Sequence, residues 1–232
     1  MKKKAKTLLF LLTLSLFLCK LPVLHGKQSD NDGPQSNTIT FTDEDLSGIE
    51  VPHNDRLVVS MTVANSTRLD KILVANGASA NVLFFHALKR LGFNERDVEK
   101  VEIPRDYVDP KSFLGIIALP VTIGDEPRSS TVMVDFWVHA GYSFAAYDAI
   151  FGIPGLSALR GVSSTYHLLL RFPTEAGIGQ VRGNQLLARK LVKKLLQMQV
   201  KAGDVDTHLN WLVALIPLLI MVFARGNVHP LL

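Results

Sequence analysis

The sequence predicts a mainly β fold, with a closed β-barrel in the centre of the chain and helical hydrophobic tails. Between residues 38 and 171, short apolar runs rich in Val, Ile, Thr and Phe alternate with turn residues, which is typical of short strands. The same region contains a single clear helical segment, and that segment is short. Strands must therefore supply most of the core.

Each element of the barrel has its own local pattern. Apolar, β-branched or aromatic residues are concentrated in five strand candidates, which are 57–64, 71–75, 113–123, 130–139 and 167–172. Residues 81–91 predict a short helix that ends at Gly92, because glycine commonly follows the last helical turn. Residues 156–159, which follow Pro154, predict one helical turn.

A small-residue turn interrupts the apolar stretch 72–84. It has the sequence Ala75-Asn76-Gly77-Ala78-Ser79, and apolar residues precede and follow it. Glycine permits a tight bend, and short polar side chains can orient neighbouring groups by hydrogen bonding. An ordinary buried strand followed by a glycine turn explains this stretch equally well when it is taken alone.

The turn resembles the catalytic turn of retroviral-type aspartic peptidases, Asp-(Thr/Ser/Asn)-Gly-(Ser/Ala)-(Ser/Ala). Other segments are similar to the peptidase domain of plant Ty3/gypsy-type long-terminal-repeat retrotransposon polyproteins, namely 39–46, 51–55, 119–124, 132–136, 147–154, 164–168, 172–175 and 179–185. The three C-terminal segments, 164–168, 172–175 and 179–185, are the most specific part of this resemblance, because of their order and spacing. The resemblance implies a closed retropepsin-like barrel with a flap hairpin, which acts as a homodimer on polypeptides.

The chain departs from that family at the position of the catalytic carboxylate, which is Ala75. Aspartic peptidases activate water between two close carboxylates that share one proton. Alanine can neither accept nor donate a proton, and the loss of one acid–base group typically costs about 10²–10⁴ in rate. A homodimer would lack both carboxylates. The resemblance, together with this departure, therefore implies an inactive peptidase domain whose surviving function is dimerisation, peptide binding or none.

The resemblance also implies the remaining site residues. Three residues support the catalytic turn, and five lie in the flap or beside the turn: Asn76, Gly77, Ser79, then Tyr107, Phe113, Gly115, Ile150 and Gly152. Three further departures accompany Ala75. Asn81 stands where an acid is often found, Ile153 stands where an Arg usually occurs, and the flap near 101–115 lacks its Phe-x-Gly tip.

Three acids of the central region are candidates to replace the missing carboxylate. Asp70 lies five residues before Ala75, so on a strand it faces the opposite side, at a distance of roughly 16 Å. Asp135 is expected to be an acid at a strand edge or facing a turn, and Asp148 is expected to hydrogen-bond a loop backbone. None of the three is expected to act as the catalytic acid.

Composition excludes several other classes. The chain has 232 residues and one cysteine, Cys19, so no intramolecular disulfide can form. It has no Gly-rich phosphate loop, no Gly-x-Ser-x-Gly elbow and no His/Cys cluster with metal-ligand spacing, so no cofactor or metal is predicted. The net charge is +4, yet residues 39–150 carry sixteen acids against ten Lys or Arg, which disfavours a specific nucleic-acid partner.

The two ends of the chain differ from its centre. Residues 1–26 resemble a secretory signal or an anchor, with four lysines before the apolar run 8–19, and residues 27–38 form a linker. Residues 39–184 form the barrel domain. Residues 185–202 predict a basic amphipathic helix, which packs on the domain or binds a membrane surface or nucleic acid. Residues 209–225 contain the apolar run 211–224, which inserts into a membrane, packs in a dimer or is disordered.

Two further interpretations stay open at this stage. One is an active aspartic endopeptidase that uses a non-standard acid. The other is a membrane-tethered interaction module, displayed through the segments 8–19 and 211–224. If those segments are genuine, the chain belongs to a membrane or the secretory pathway; otherwise it is intracellular, and the ends are foreign sequence joined to a retroelement domain.

Overall fold

The computed structural model describes residues 38–64, 66–102, 112–140 and 146–201, with only the backbone for residues 198–201. The strands in these ranges are β1 Val58–Val63, β2 Thr67–Val74, β3 Asn81–Phe84, β4 Phe113–Ile123, β5 Ser130–His139, β6 Ala149–Phe151, β7 Val162–Ser164, β8 Leu169–Thr174 and β9 Gly177–Arg182. The α-helices are α1 Phe85–Arg90, α2 Ile153–Leu159 and α3 Gln185–Lys201. The remaining residues include Tyr107 and the two terminal segments, so the predictions made there lie outside the described residues.

Six strands close into a barrel in the order β1-β2-β6-β3-β5-β4, and β1 pairs back onto β4. The β2–β6 and β3–β5 pairs are parallel, whereas the other pairs are antiparallel. Strands β7, β8 and β9 form a separate antiparallel sheet. The predicted mainly β fold with a closed barrel is confirmed.

The barrel core follows from strict alternation along its long strands. In β4 every second residue from Phe113 to Ile123 is buried, as expected for a strand with one face on a core. β5 pairs with β4 over nearly its whole length. The interior is filled by aliphatic and aromatic side chains from most of the strands, among them Val59, Met61, Leu69, Ile72, Leu83, Leu119, Val121, Phe136 and Phe151.

The helix predicted over residues 81–91 is wrong in its first part. Asn81–Phe84 form β3, and the α-helix covers only Phe85–Arg90. All four β3 residues are buried, and Val82 pairs with Trp137 of β5 and with Ile150 of β6. Pairing with two neighbouring strands therefore overrides the local preference for a helix.

Two short strands escape the sequence pattern. β9 contains Gly177 and Gly179, which weaken the strand signal, yet it pairs with β8 from Leu169↔Arg182 to Thr174↔Gly177. β7 has three residues, too few to show an alternation. The strands predicted over 113–123 and 130–139 have the predicted bounds.

The basic helix α3 packs on the barrel. Ala188 and Leu191 are buried in an apolar cluster with residues of β1 and β2, and Leu187 and Leu195 pack against that cluster. Asn184 precedes the helix, and its side chain accepts a hydrogen bond from Leu187 N at 2.9 Å. Within the ranges described above, no helix is long and apolar enough to cross a bilayer.

Candidate functional site

The glycine turn owes its position to the order of the strands. β2 ends at Val74 and the chain re-enters the barrel at Asn81, but β6 lies between these two strands. The turn therefore crosses the end of β6. Ala75 N donates to Phe151 O at 3.0 Å, and Ile153 N donates to Ala78 O at 2.8 Å.

Gly152 lies directly under this crossing. A Cβ atom there would lie 2.3 Å from Ala80 O and 2.7 Å from Ala78 O. Its φ of −93° is open to any residue, so the need for glycine is steric. The structure thus brings one predicted site residue, Gly152, against the turn that contains Ala75, Asn76, Gly77 and Ser79.

Asn81 fixes the turn to its neighbours. Its side chain is buried, and Oδ1 accepts hydrogen bonds from Gly152 N at 2.9 Å and Gly155 N at 3.1 Å. Its Nδ2 donates to Asp135 O at 3.2 Å. An ionised Asp can only accept, so it could not make the bond to that carbonyl. The buried side chain of Asn81 therefore has partners for both its oxygen and its nitrogen, and it links the end of the turn to α2 and β5.

Ala75 contributes to the lining of an open cleft of about 510 Å³. The cleft is lined by residues from three parts of the chain: His53, Asn54, Asp55, Arg56, Leu57, Leu73, Val74, Ala75, Gly77, Thr165 and Tyr166. Ala75 itself is 9% exposed, whereas Asn76, Gly77 and Ser79 are exposed. Ser163 Oγ donates to Asn76 Oδ1 at 2.6 Å, which joins the turn to β7.

One wall of the cleft is held by His53. Its Nδ1 accepts a hydrogen bond from Asp55 N at 3.2 Å, so in the neutral ring Nε2 carries the proton and donates to Tyr166 O at 3.0 Å. The His53 and Tyr166 rings are also stacked, with centroids 6.4 Å apart. These contacts join segments 113 residues apart. No local pattern in the sequence identifies either as part of a site.

Asp55 is the single carboxylate among the described lining residues, and it accepts hydrogen bonds from side chains of α3. Its Oδ2 accepts hydrogen bonds from Gln185 Nε2 at 2.8 Å and from Arg189 Nε at 3.0 Å. Hydrogen bonds to Glu50 and Asp55 raise the pKa of Arg189. Asp55 therefore anchors the helix to the segment before β1, which is a structural role.

The remaining predicted site residues lie in the apolar cluster of Ala75, at the crossing of Glu99 and β4, or outside the described residues. Phe113 and Ile150 are buried in the apolar cluster that also contains Ala75. Gly115 lies where Glu99 crosses β4, and a Cβ there would lie 2.0 Å from Glu99 O. Two backbone hydrogen bonds pair Glu99 with Ile116, at 2.8 and 2.9 Å, as at the base of a hairpin. Tyr107, the remaining predicted flap residue, lies outside the described residues.

None of the three alternative acids lines the cleft. Asp70 is exposed and pairs with Arg68, and Asp135 is exposed on β5. Asp148 was expected to hydrogen-bond a loop backbone, but the backbone donor to its side chain is Lys71 N of strand β2, at 3.3 Å. In the described ranges, no group of three His, Cys, Asp or Glu side chains could hold a metal ion.

No protein-family model matches the sequence. No curated protein matches it either. Among solved structures, the chain is similar to the crystal structure of the retroviral protease-like domain of Ddi1 from Leishmania major. The identity is 19%, the TM-score is 0.41, and the match covers 56% of this chain and 93% of that domain.

Proposed function

We propose that this chain is a retropepsin-like aspartic peptidase domain, related to those of plant Ty3/gypsy-type retrotransposons, that is catalytically inactive. The observation that carries the proposal is the place of Ala75. It opens the small-residue turn, it borders the cleft, and Gly152 packs under that turn. A carboxylate at this position would enter the cleft, and alanine supplies none.

The described surroundings of the turn support inactivity. Asp55, which is held by Gln185 and Arg189, is not positioned as a free base. The other acids considered in the sequence lie away from the lining. Water in the cleft would thus lack a carboxylate pair to activate it.

The activity that we propose for the cleft is binding of an extended peptide without cleavage, in a homodimer. A peptide can lie against the ring of Tyr166, which is 55% exposed, and the hydrogen bonds that support the turn are made without the acid. Attachment to a membrane through residues 8–19 or 211–224 stays a prediction, because both segments lie outside the described residues.

The experiment is a peptidase assay of the purified full chain on an unfolded protein at acidic pH, with and without pepstatin. We expect no pepstatin-sensitive cleavage from the chain as it stands. Pepstatin-sensitive cleavage would instead favour the active endopeptidase with a non-standard acid.

A further inference from the structure

The lining of the cleft contains one acid and one arginine, Asp55 and Arg56, so its formal charge is zero. The two side chains do not pair with each other, because Asp55 is bound by Gln185 and Arg189 of α3. Arg56 takes part in none of the ion pairs found within the described residues, whereas Arg189 takes part in two.

The side-chain partner of Arg56 is neutral. Arg56 Nη1 donates a long hydrogen bond, 3.4 Å, to the hydroxyl of Tyr147, which is only 2% exposed. A buried phenol orients the guanidinium without neutralising it. The other donors of the guanidinium fork remain suited to a carboxylate, which arginine binds through two parallel hydrogen bonds.

The alanine at position 75 affects which ligands can pair with Arg56. An acid at position 75 would place a negative charge in the lining that also contains Arg56. With alanine there, Arg56 has no such competitor. Tyr166, which is 55% exposed, supplies aromatic surface in the same lining, over the buried side chains of Leu57 and Leu73. A ligand that fits this lining carries a carboxylate next to apolar side chains.

We propose that the cleft binds extended peptides through a carboxylate that pairs with Arg56, supplied by an acidic side chain or by a free C terminus. This inference rests on the proposed function, because it assigns a ligand class to the same cleft. The replacement of the acid by Ala75 thus changes the cleft from a site of water activation to a site for acidic peptides.

The test is fluorescence anisotropy of the full chain with three labelled apolar peptides. The first has one central Glu and an amidated C terminus, the second has Gln and the amide, and the third has Gln and a free C-terminal carboxylate. Because a hydrogen bond to a charged group contributes about 1.5–3 kcal/mol, a carboxylate peptide should bind about 10- to 100-fold more tightly than the neutral one.

Arg56→Gln should abolish that preference, and Arg56→Lys should keep part of it, because lysine retains the charge but not the fork. Arg68→Gln is the matched control, since it removes an exposed arginine of β2 that does not line the cleft. Its preference should equal that of the unchanged chain. Thermal melting of each variant verifies folding.

The outcomes separate the ligand class from the function itself. Preference for the Glu peptide identifies a side chain as the source, and preference for the free C terminus identifies a chain end; either supports the proposal when Arg56→Gln removes it. Equal binding of all three peptides overturns the role of Arg56 and leaves peptide binding intact. Failure of the folded chain to bind any of them overturns both.

Discussion

The buried carboxylate of Asp148 pairs with three basic side chains at the side of this barrel. It is fully buried, and its Oδ1 lies 3.0 Å from Arg90 Nη1, 3.2 Å from His86 Nε2 and 3.4 Å from Lys71 Nζ. These three partners come from β2 and α1, and Asp148 itself precedes β6. One carboxylate therefore joins three elements near the strand that underlies the glycine turn.

Asp148→Asn should destabilise the fold strongly. Removing the charge leaves Lys71, Arg90 and His86 close together without their common partner. Breaking a buried ion pair costs about 3–5 kcal/mol, and we expect the lower end because the cations are partly exposed. Urea unfolding measures the change. Asp135→Asn, at an exposed position of β5, should change stability by less than about 0.5 kcal/mol.

If the two variants lost equal stability, the buried cluster would have no special role. Such a result would also return Asp148 to consideration as a functional acid, because burial without a structural purpose needs another explanation.

Asn81 and Ala75 both lack an acid that the family pattern has, but their surroundings in the structure differ. Both absences are visible in the sequence. Their structural consequences differ, because the two side chains have different contacts in the folded chain. Asn81 satisfies two backbone N–H groups and one carbonyl, whereas Ala75 opens onto a cleft. Neither fact can be deduced from local sequence, since the partners of Asn81 are more than fifty residues away.

At the scale of elements, α3 belongs to the folded domain through a narrow apolar stripe. Leu191 is 5% exposed and lies in the cluster that contains Val58 and Leu73, whereas Leu196 of the same helix is 43% exposed. Gln185 makes reciprocal hydrogen bonds with the backbone of Glu50, both at 3.0 Å. The helix is therefore held both by burial and by polar contacts with the segment before β1.

Leu191→Ala should cost about 2–5 kcal/mol, the range for creating a cavity in a packed core. Leu196→Ala is the matched control in the same helix and should change stability by less than about 0.5 kcal/mol, since its side chain is exposed. Chemical denaturation of both proteins provides the comparison. Similar small effects would mean that α3 is not packed as described, and would favour the membrane-surface interpretation of its basic face.

The segment that precedes β1 is also joined to the second sheet, through Asp45. The hydrogen bond from Thr42 N and then the proximity of Arg171 lower the pKa of Asp45 below its usual 3.8. Asp45 Oδ1 lies 2.6 Å from Arg171 Nη2, and Arg182 Nη1 donates to Asp45 O at 2.7 Å. These contacts fasten the segment to β8 and β9.

The lowered pKa of Asp45 gives a pH dependence of fixed sign. Its stabilising contribution is complete above about pH 3.8 and disappears as the pH falls through the lower pKa of the folded state. Asp45→Asn should therefore be less stable than the unchanged chain near neutral pH, with the difference shrinking below pH 3.8. Thermal melting across this range tests it. A difference that stayed constant with pH would contradict the assignment.

Secondary structure was predictable where the pattern was long. β4 and β5 alternate over ten or more residues, so their bounds follow from the sequence alone. β3 was not predictable, because a run of four buried residues is compatible with both a strand and a buried helix. Its identity depends on pairing with β5 and β6, and that is set by the closure of the barrel.

At the scale of the whole molecule, the barrel brings together a site that no single segment contains. The turn was predictable from its small residues and its resemblance to a catalytic turn. The cleft was not predictable, because its walls come from residues 53–57 and 165–166, which are far apart in sequence and are joined by the contacts of His53 with Tyr166. In the proposed homodimer, each copy would supply alanine in place of the acid.

We propose that Ala75, rather than the other departures from the peptidase pattern, keeps this fold from acting as a peptidase. The measurement that tests this claim is pepstatin-sensitive cleavage at acidic pH by full-length Ala75→Asp, beside the unchanged chain and Ala75→Asn, which matches aspartate in shape but cannot exchange a proton. We expect cleavage from Ala75→Asp only, because only that change supplies a carboxylate from each copy in a dimer. Pepstatin-sensitive cleavage by the unchanged chain, or no cleavage by any of the three folded proteins, would contradict the claim.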